Sequence, residues 1–326
     1  METQESLLRA AAAHETAGEL LAAIDALQRA NRLHGSASVE QRLVRLRRDA
    51  FARTAAALTA LGAVPERAPA VDPALGLPAT SRAGLDVELV RAAIAHHGSL
   101  IVRGMLSEQR VRTLRAAIDA ALMARRSGPE NRTSHYHELE GPDPQDRAFS
   151  AHDGLLTCDS PHALFELLET FYELGIDRLA SEYLGERPAL SIEKCTLRHM
   201  VPPCSGSWHQ DGAFLGAEIR SLNVWIALSR CGRDAPGLDI MPRRYRRILP
   251  TGAFFDWDLS PEVIRLESPG VAPARPLFEA GDAVLFDHLC VHQTAYSPEM
   301  TQERYAIESW LFAPSAYPTK GGGLVI

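Results

Sequence analysis

The sequence predicts an α+β protein with a mainly β core, in which helices dominate the first half of the chain and short strands the second. Apolar residues recur at helical spacing through residues 1–62 and again between Val87 and His97. From Ala189 onward, apolar and polar residues alternate in short runs that end at turn residues, which is typical of strands. The 326 residues leave room for one large domain and an accessory segment.

The composition is that of an ordinary globular protein, with 46% hydrophobic and 23% charged residues. A net charge of −7 gives no indication of nucleic-acid binding. The five cysteines include no CxxC pair, which favours a reducing compartment over a disulfide framework. The N-terminus is acidic and polar, so no secretory signal is expected, and no apolar run approaches membrane-spanning length. We therefore expect a cytoplasmic protein without nucleic-acid or membrane partners.

Residues 1–62 are predicted to form a helical N-terminal segment. Gly18 and Gly35 mark breaks, and the two short helices around Gly18 resemble a single tetratricopeptide-like repeat. One repeat is not a stable solenoid, so we favour a helical flank packed on the main domain or on a second subunit. Self-association or a protein partner through these helices stays open. The arginines of the third helical run are most simply a solvated face, and they are Arg45, Arg47, Arg48 and Arg53.

A proline-rich stretch, residues 63–84, is interpreted as a linker to a domain that spans residues 85–326. Early in that domain, polar residues 127–154 are broken by glycine and proline, and they are predicted to form a loop suited to a lid. The elements predicted around this loop are a helix at Val87–His97, a strand from Ser99, a helix capped by Ser107 and a helix from Ala163 to Tyr183.

The sequence WHQDG, residues 208–212, carries the first candidate for chemistry. On an extended backbone the side chains of His209 and Asp211 leave on the same side, because they are two positions apart. These two residues and one histidine from a distant strand make a facial set of three ligands, the arrangement of non-haem Fe(II) oxygenases. A hydrogen-bonded couple is the simpler interpretation of an isolated pair of this kind, so the assignment depends on the remaining motifs.

Two histidines of one predicted strand compete for the third ligand position. His288 and His292 share a face of that strand, so alternation alone does not choose between them. A chain reversal near Pro298 would return Arg304 to the neighbourhood of His292, and Glu308 to that of His288. An anionic cosubstrate at the metal needs an arginine across the pocket, because the guanidinium fork matches a carboxylate. We therefore predict His292 as the ligand and His288 as a structural residue.

The run from Ser221 to Leu228 alternates cleanly and places Asn223, Trp225 and Ala227 on one face. In a barrel-like fold this face would line the cavity, and the other would pack outward under a helix. The alternative for Trp225 is core filling, because large aromatic side chains dominate protein cores.

Taken together, these motifs resemble the phytanoyl-CoA dioxygenase family of Fe(II)/2-oxoglutarate-dependent oxygenases. The resemblance rests on WHQDG, on the strand motifs NVWIAL (residues 223–228) and GDAVLF (residues 281–286), and on a histidine followed about a dozen positions later by an arginine. The opening GSLIVRGMLS is similar as well, and the resemblance covers roughly residues 85–315. It implies a double-stranded β-helix, a jelly-roll-like and cupin-like barrel open at one end, with helices buttressing one sheet.

The resemblance also implies roles for particular residues. The implied iron ligands are His209, Asp211 and His292. Arg304 would hold the distal carboxylate of 2-oxoglutarate, Thr294 would contact the same carboxylate, and Trp225 would form a cavity wall beside this cosubstrate. An upstream basic residue used by some members has no clear match, with Arg147 and Arg198 as the candidates.

The implied activity is an Fe(II)/2-oxoglutarate-dependent dioxygenase that uses O2 to hydroxylate an unactivated carbon of a small organic substrate, releasing succinate and CO2. Halogenating relatives have a small residue at the position of Asp211, so the carboxylate here favours hydroxylation. One alternative is a cupin-like metal enzyme without 2-oxoglutarate, against which Arg304 argues. Another is a non-catalytic binding module on the same barrel, against which the complete ligand set argues.

Overall fold

Helices occupy the N-terminal part of the chain and flank the strands that follow. The computed structural model describes residues 2–53, 63–128, 133–145, 147, 154–252, 256–318 and 322–326. The α-helices within these ranges are α1 (Gln4–Ala17), α2 (Leu20–Leu33), α3 (Ala37–Arg53), α4 (Val87–His97), α5 (Glu108–Arg126), α6 (Pro161–Leu174), α7 (Ile176–Leu184), α8 (Gly212–Leu215) and α9 (Pro261–Glu267). None of these helices combines the length and the apolar character needed to cross a membrane.

The strands are concentrated in the second half of the chain and form two sheets. They are β1 (Val71–Asp72), β2 (Leu77–Ser81), β3 (Ser99–Arg103), β4 (Gly154–Leu156), β5 (Ala189–Ser191), β6 (Thr196–Met200), β7 (Ser221–Ala227), β8 (Gly237–Ile240), β9 (Ala283–Phe286), β10 (His292–Ala295), β11 (Arg304–Phe312) and β12 (Gly323–Val325). The larger sheet follows the order β1–β2–β3–β9–β7–β11–β5–β12, and β6 lies beside β11 and carries β4. The smaller sheet pairs β8 with β10 in antiparallel register.

The two sheets face each other, and side chains from both line the space between them, which is called the cavity below. Arg304 on β11 donates through Nη1 to the carbonyl oxygen of Gly237 at the start of β8, 3.1 Å away. The ring of Phe286 on β9 lies 4.8 Å from the ring of His292 on β10. The larger sheet is buried on its outer face as well, because helices cover it, and every residue of β7 is buried. The α+β prediction with a mainly β core is confirmed.

Local signals set the bounds of several helices. The hydroxyl of Ser107 accepts a hydrogen bond from the first turn of α5, as predicted for an N-cap. The predicted helix Val87–His97 ends at Gly98, whose φ of 85° closes the last turn. The single helix predicted from Ala163 to Tyr183 is instead two helices, because Gly175 adopts a φ of 71° and ends α6.

Part of the predicted linker contributes to the larger sheet. Leu77–Ser81 pairs in parallel with β3, and Leu77 is fully buried. Five residues of the predicted linker thus form a strand that the linker interpretation did not include, since the prolines leave room for a short strand. The domain boundary near residue 85 stays a prediction.

The N-terminal helices pack on the rest of the chain through a polar seam. The buried Glu169 on α6 accepts hydrogen bonds from Gln28, at 2.6 Å, and from Nε of Arg32, at 2.5 Å. Their apolar faces also join the core, where Val325 of β12 packs with the α2 and α3 side chains. This matches a helical flank packed on the main domain, while an additional protein partner stays a prediction. Residues 54–62, the last of the predicted helical segment, lie outside the described ranges.

The arginines of α3 are not all on a solvated face. Arg47 is only 2% exposed, and its guanidinium donates to the carbonyl oxygen of Val325 at 2.7 Å and to Gln28 at 3.1 Å. It also donates to the hydroxyl of Tyr172 at 3.2 Å. The prediction of a fully solvated arginine stripe is wrong at this position, because the C-terminal strand docks against the same side of α3.

An ion pair between Glu40 on α3 and His162 on α6 links these two helices, with 3.0 Å between Nδ1 of His162 and Oε1 of Glu40. Burial acts to raise the pKa of Glu40, but the hydrogen bond and charge of His162 and the hydrogen bonds from Asn31 and Ser134 together outweigh it, so the pKa is lowered. The hydrogen bond with Glu40 raises the pKa of His162. The docking of α3 against α6 is therefore linked to pH through this pair.

The predicted lid loop lies partly outside the described ranges, which omit residues 129–132, 146 and 148–153. The described part is anchored at Asp159, which accepts a hydrogen bond from the backbone N–H of Leu139 at 2.8 Å. Asp159 also pairs with Nε of Arg147 at 2.7 Å. Movement of this loop over the cavity stays a prediction.

Candidate metal centre

The backbone brings the WHQDG segment against the start of β10. His209 and His292 exchange two backbone hydrogen bonds, of 3.0 and 3.1 Å, in a single antiparallel bridge. Side chains of directly opposed residues leave on the same face, so both imidazoles point into one space. Asp211 follows with a helical backbone (φ −62°, ψ −25°) at the start of α8, and not on an extended strand as predicted.

Three potential ligand atoms converge there. Nε2 of His209 lies 3.6 Å from Oδ1 of Asp211, and Nε2 of His292 lies 3.7 Å from Oδ2 of the same carboxylate. One ligand atom from each of the three side chains lies within 4.8 Å of the other two. Within the described ranges, no other group of His, Cys, Asp and Glu side chains forms such a cluster.

Hydrogen bonds fix the orientation of both rings. Nδ1 of His209 donates to the carbonyl oxygen of Ser207 at 2.8 Å, and Nδ1 of His292 donates to that of Cys290 at 3.2 Å. A carbonyl oxygen can only accept, so each Nδ1 carries a proton and each Nε2 is left as a lone-pair donor to a cation.

The electrostatics of the cluster also suit a cation. Burial lowers the pKa of His209, and burial together with His209 lowers the pKa of His292 well below its usual range, so both rings are neutral. Burial, with the charge of Glu308, raises the pKa of Asp211 well above its usual range. Oδ2 of Asp211 is buried and has no hydrogen-bond partner among the described residues. Two neutral imidazoles and one carboxylate in need of a partner fit a ferrous ion.

Gln210 holds this segment in place and was not singled out by the sequence. It is fully buried, and its Nε2 donates to the carbonyl oxygen of Leu289 at 2.8 Å. Its Oε1 accepts from the backbone N–H of Leu249 at 2.7 Å. The only available signal was its position between two candidate ligands, from which its side chain must turn away.

Gly212 permits the close approach of this segment to the chain that precedes β10. A Cβ at this position would lie 2.4 Å from Ile248 Cδ1 and 3.1 Å from the carbonyl oxygen of His288. The backbone N–H of Gly212 donates to that same carbonyl at 2.9 Å. A larger residue would push His209 and Asp211 away from His292.

His288 and His292 do not share a strand. β9 ends at Phe286, and the chain turns through residues 287–291 before His292 opens β10 in the other sheet. The prediction of one continuous strand is therefore wrong, because alternation does not reveal a change of sheet. The ring of His288 lies 3.2 Å from the hydroxyl of Ser221 and 3.3 Å from the carbonyl oxygen of Ala217, which agrees with a structural role.

The predicted reversal at Pro298 does not form a hairpin. β10 pairs with β8, whereas β11 pairs with β6 and β7. Arg304 nevertheless reaches the cavity, because it lies in the opposite sheet and is only 1% exposed. Its guanidinium lies 5.7 Å from the Trp225 ring. Glu308, predicted to return near His288, lies instead beside Thr196 and Arg198.

Thr294 and Trp225 also line the space between the sheets. Thr294 is opposite Leu238, next to the Gly237 carbonyl that Arg304 contacts. Trp225 is 1% exposed, and its indole N–H has no hydrogen-bond partner among the described residues. Trp225 is thus both a buried wall and a polar group that faces the cavity.

The two candidate basic residues differ in position. Arg147 is held by Asp159 in the loop before β4. Arg198 lies on β6 and pairs with Glu308, and the charges of both act on the pKa of His209. Of these two, Arg198 is the one whose charge acts on a residue of the metal cluster.

Comparisons with known proteins identify the family of this chain and solved structures with a similar fold. The family described as phytanoyl-CoA dioxygenase (PhyH) matches residues 94–298. The solved structure of EctD from S. alaskensis with 2-oxoglutarate and 5-hydroxyectoine has a TM-score of 0.54 at 17% identity, over 81% of this chain and 86% of that one. The non-heme alpha ketoglutarate dependent carbocyclase SnoK from nogalamycin biosynthesis has a TM-score of 0.48 at 18% identity, over 72% and 86% of the two chains. No curated protein sequence matches significantly.

Fold and site together define a non-haem Fe/2-oxoglutarate oxygenase built on a double-stranded β-helix. The chain belongs to the phytanoyl-CoA dioxygenase family, and it carries the His209, Asp211 and His292 triad. Its cofactors are iron and 2-oxoglutarate, as the sequence predicted.

Proposed function

We propose that this oxygenase hydroxylates an unactivated carbon of a small organic substrate, consuming 2-oxoglutarate and O2 and releasing succinate and CO2. The observation that carries the proposal is the convergence of two imidazoles and the Asp211 carboxylate within 4.8 Å, facing a sheet that presents a buried arginine. Iron and 2-oxoglutarate, when bound, supply the oxidising chemistry, and the chain supplies orientation and exclusion of water.

Nε2 of His209, the carboxylate of Asp211 and Nε2 of His292 would hold the metal. The hydrogen bonds from both Nδ1 atoms keep the rings in the tautomer that binds a cation. The unpartnered Oδ2 of Asp211 supports the same role, because a buried carboxylate oxygen requires a partner. Because only three side chains of this chain would hold the ion, it would have positions left to bind cosubstrate and O2.

Arg304 would hold the distal carboxylate of 2-oxoglutarate, with Thr294 as a hydroxyl donor and Trp225 as the adjoining wall. The guanidinium is always charged and its planar fork matches a carboxylate. Its contact with the Gly237 carbonyl places it one residue from the register partner of Thr294. Both groups therefore border the same end of the cavity.

The carboxylate at position 211 supports hydroxylation over halogenation. Halogenating members of the resembled family have a small residue there, and Asp211 is oriented as a third ligand. The cupin-like alternative without 2-oxoglutarate and the non-catalytic module have no observation in their favour.

The test is a panel of candidate small molecules assayed for succinate formed in proportion to substrate consumed. A product that has gained one oxygen atom, with equal succinate, is the expected result. A product with a new double bond or ring and no added oxygen would contradict hydroxylation and leave the oxygenase class intact. The matched control is the His292→Ala variant, in which coupled succinate formation should vanish.

The remaining proposals concern the setting of the enzyme. We expect a cytoplasmic enzyme with a small-molecule substrate. The segment 1–62, the connection 63–84 and the domain 85–326 remain our proposed division of the chain. A protein partner for the N-terminal helices would have to use their outer faces, because the inner faces pack on α6 and β12.

A further inference from the structure

One carboxylate of the cavity, that of Glu308, has no part in the proposed metal and cosubstrate sites. On β11 it is opposite Trp225 of β7 and Thr196 of β6, so it shares their face of the sheet. The other face of the same strand is turned to α5, where the hydroxyl of Tyr305 donates to Asp119 at 2.7 Å. Glu308 therefore faces the cavity.

Neighbouring side chains hold this carboxylate in place. The hydroxyl of Thr196 donates to its Oε2 at 2.9 Å, and Arg198 lies 3.4 Å from each of its oxygens. Burial acts to raise the pKa of Glu308, but the charges of Arg198 and Arg304 and the hydrogen bonds from Thr196 and Arg198 together outweigh it, so the pKa is lowered. The negative charge of Glu308 raises the pKa of both Asp211 and His209.

A second polar group on the same face of the larger sheet lacks a hydrogen-bond partner. Asn223, two residues before Trp225 on the same face of β7, is 2% exposed, and its Oδ1 has no hydrogen-bond partner among the described residues. A buried acceptor left unmatched is costly, so its position here points to a ligand that donates to it. Glu308 and Asn223 thus present two acceptors toward the cavity.

Aromatic side chains also lie beside the metal cluster. The ring of Trp257 lies 5.4 Å from that of His209, and the ring of Phe214 lies 6.2 Å from Trp257. Phe214 is 42% exposed, so this wall forms the mouth of the site. Lys194 adds a positive charge there, with Nζ 5.4 Å from the centre of the Phe214 ring.

We infer that Glu308 is a specificity-determining residue that accepts hydrogen bonds from a neutral, hydroxylated substrate whose apolar face packs on Phe214 and Trp257. The inference rests on the proposed function. The carboxylate disfavours an anionic substrate, while its neutralisation by Arg198 and the charge of Lys194 disfavour a cationic one. A neutral hydroxyl satisfies Glu308 and Asn223 without adding charge to a buried space.

The test uses three probes that share one ring and differ in charge: trans-1,2-cyclohexanediol, cyclohexylamine and cyclohexanecarboxylate. Each is titrated into protein loaded with Mn(II) and 2-oxoglutarate, and broadening of the probe's proton resonances by the metal reports binding within the site. We expect the diol to bind best. Glu308→Gln should raise the dissociation constant for the diol roughly tenfold, because a charge-assisted hydrogen bond is replaced by a neutral one.

A second expected result distinguishes substrate recognition by Glu308 from a purely structural role. Glu308→Gln leaves the charge of Arg198 uncompensated, so the variant should bind cyclohexanecarboxylate more tightly than the unaltered protein does. The matched control is Glu303→Gln, which removes a half-exposed carboxylate that pairs with His199 just before β11. This control should leave the affinity for all three probes unchanged.

Several results would overturn the inference: no diol binding by the unaltered protein, a preference for the amine or the carboxylate, or equal diol affinity in the Glu308→Gln variant. Failure of the proposed function would look different. In that case the unaltered protein itself would show no absorbance band on anaerobic addition of Fe(II) and 2-oxoglutarate, whatever the probes do.

Discussion

Replacing Arg304 with alanine removes the charged group proposed to hold the distal carboxylate of 2-oxoglutarate. The guanidinium is 1% exposed, lies 5.7 Å from the Trp225 ring and donates to the Gly237 carbonyl at 3.1 Å. Its position is thus set by two sheets at once. Iron affinity should change little, because Arg304 is not part of the triad.

The size of the effect follows from the burial of the pair. Removing one partner of a desolvated charge pair costs about 2–5 kcal/mol, mostly because the other charge is left without a partner. Since about 1.4 kcal/mol is a factor of ten, the midpoint for 2-oxoglutarate should rise by roughly two orders of magnitude or more. Lysine should restore only part of this affinity, because a point charge lacks the planar fork.

The assay is an anaerobic titration of the absorbance band that the Fe(II)–2-oxoglutarate chelate produces. The matched control is Arg115→Ala, because Arg115 contacts the ring of Tyr305 on the outer face of the same strand, 4.4 Å from its centre. This control should leave the midpoint unchanged. An unchanged midpoint in Arg304→Ala, with normal iron binding, would refute the assignment of the carboxylate site.

Three further predictions concern the metal, the pH dependence and the N-terminal helices. His292→Ala should lose iron in equilibrium dialysis, whereas His288→Ala should keep it; the reverse pattern would exchange their roles. The ion pair of His162 with α3 should stabilise fully between the ordinary pKa values of 4.5 for its glutamate and 6.5 for histidine, and this stabilisation should fade as pH rises through the raised pKa of His162 or falls through the lowered pKa of the glutamate. His162→Gln should therefore flatten the fall in thermal midpoint above neutral pH, and an unaltered pH profile would count against the linkage. Arg47→Ala should lower the free energy of unfolding by about 3 kcal/mol in urea denaturation, since it leaves buried acceptors without a hydrogen-bond donor. Arg45→Ala, on the exposed side of α3, should change the free energy of unfolding by less than about 0.5 kcal/mol. Equal effects of the two substitutions would contradict a stabilising role for the buried Arg47.

The sequence was most informative where chemistry and spacing coincide. The residues of WHQDG and the histidine at 292 could be singled out because few functions require two imidazoles and a carboxylate in that order. The structure brings these three side chains together. The helix Val87–His97 and the cap at Ser107 were also predictable, because capping is a local property.

What the sequence could not show was the partner of each strand. Alternation from Phe286 to Thr294 suggested one strand, yet the chain changes sheet at residues 287–291. The turn is stabilised by the Asp287 side chain, which accepts from the backbone N–H of Leu289 at 3.0 Å. The sequence analysis placed Arg304 near His292 by assuming a hairpin, and this hairpin does not form. Arg304 instead faces the cavity from β11, which belongs to the opposite sheet.

Long-range packing explains the other differences. The burial of Arg47 depends on the arrival of the C-terminal strand, which no helical pattern can encode. The place of Glu308 requires the register of β6, β7 and β11 together. The strand Leu77–Ser81, which pairs in parallel with β3, could not be predicted because the surrounding prolines indicated a linker.

The most direct test of the central claim is the anaerobic addition of Fe(II) and then 2-oxoglutarate to the unaltered protein and to His209→Ala. The account predicts one bound Fe(II) per chain and a visible absorbance band that appears only with 2-oxoglutarate. It predicts that both disappear in His209→Ala, because removing a ligand weakens a three-ligand site. Absence of the band from the unaltered protein, or an equal band in His209→Ala, would contradict the assignment of the iron and 2-oxoglutarate site to these residues.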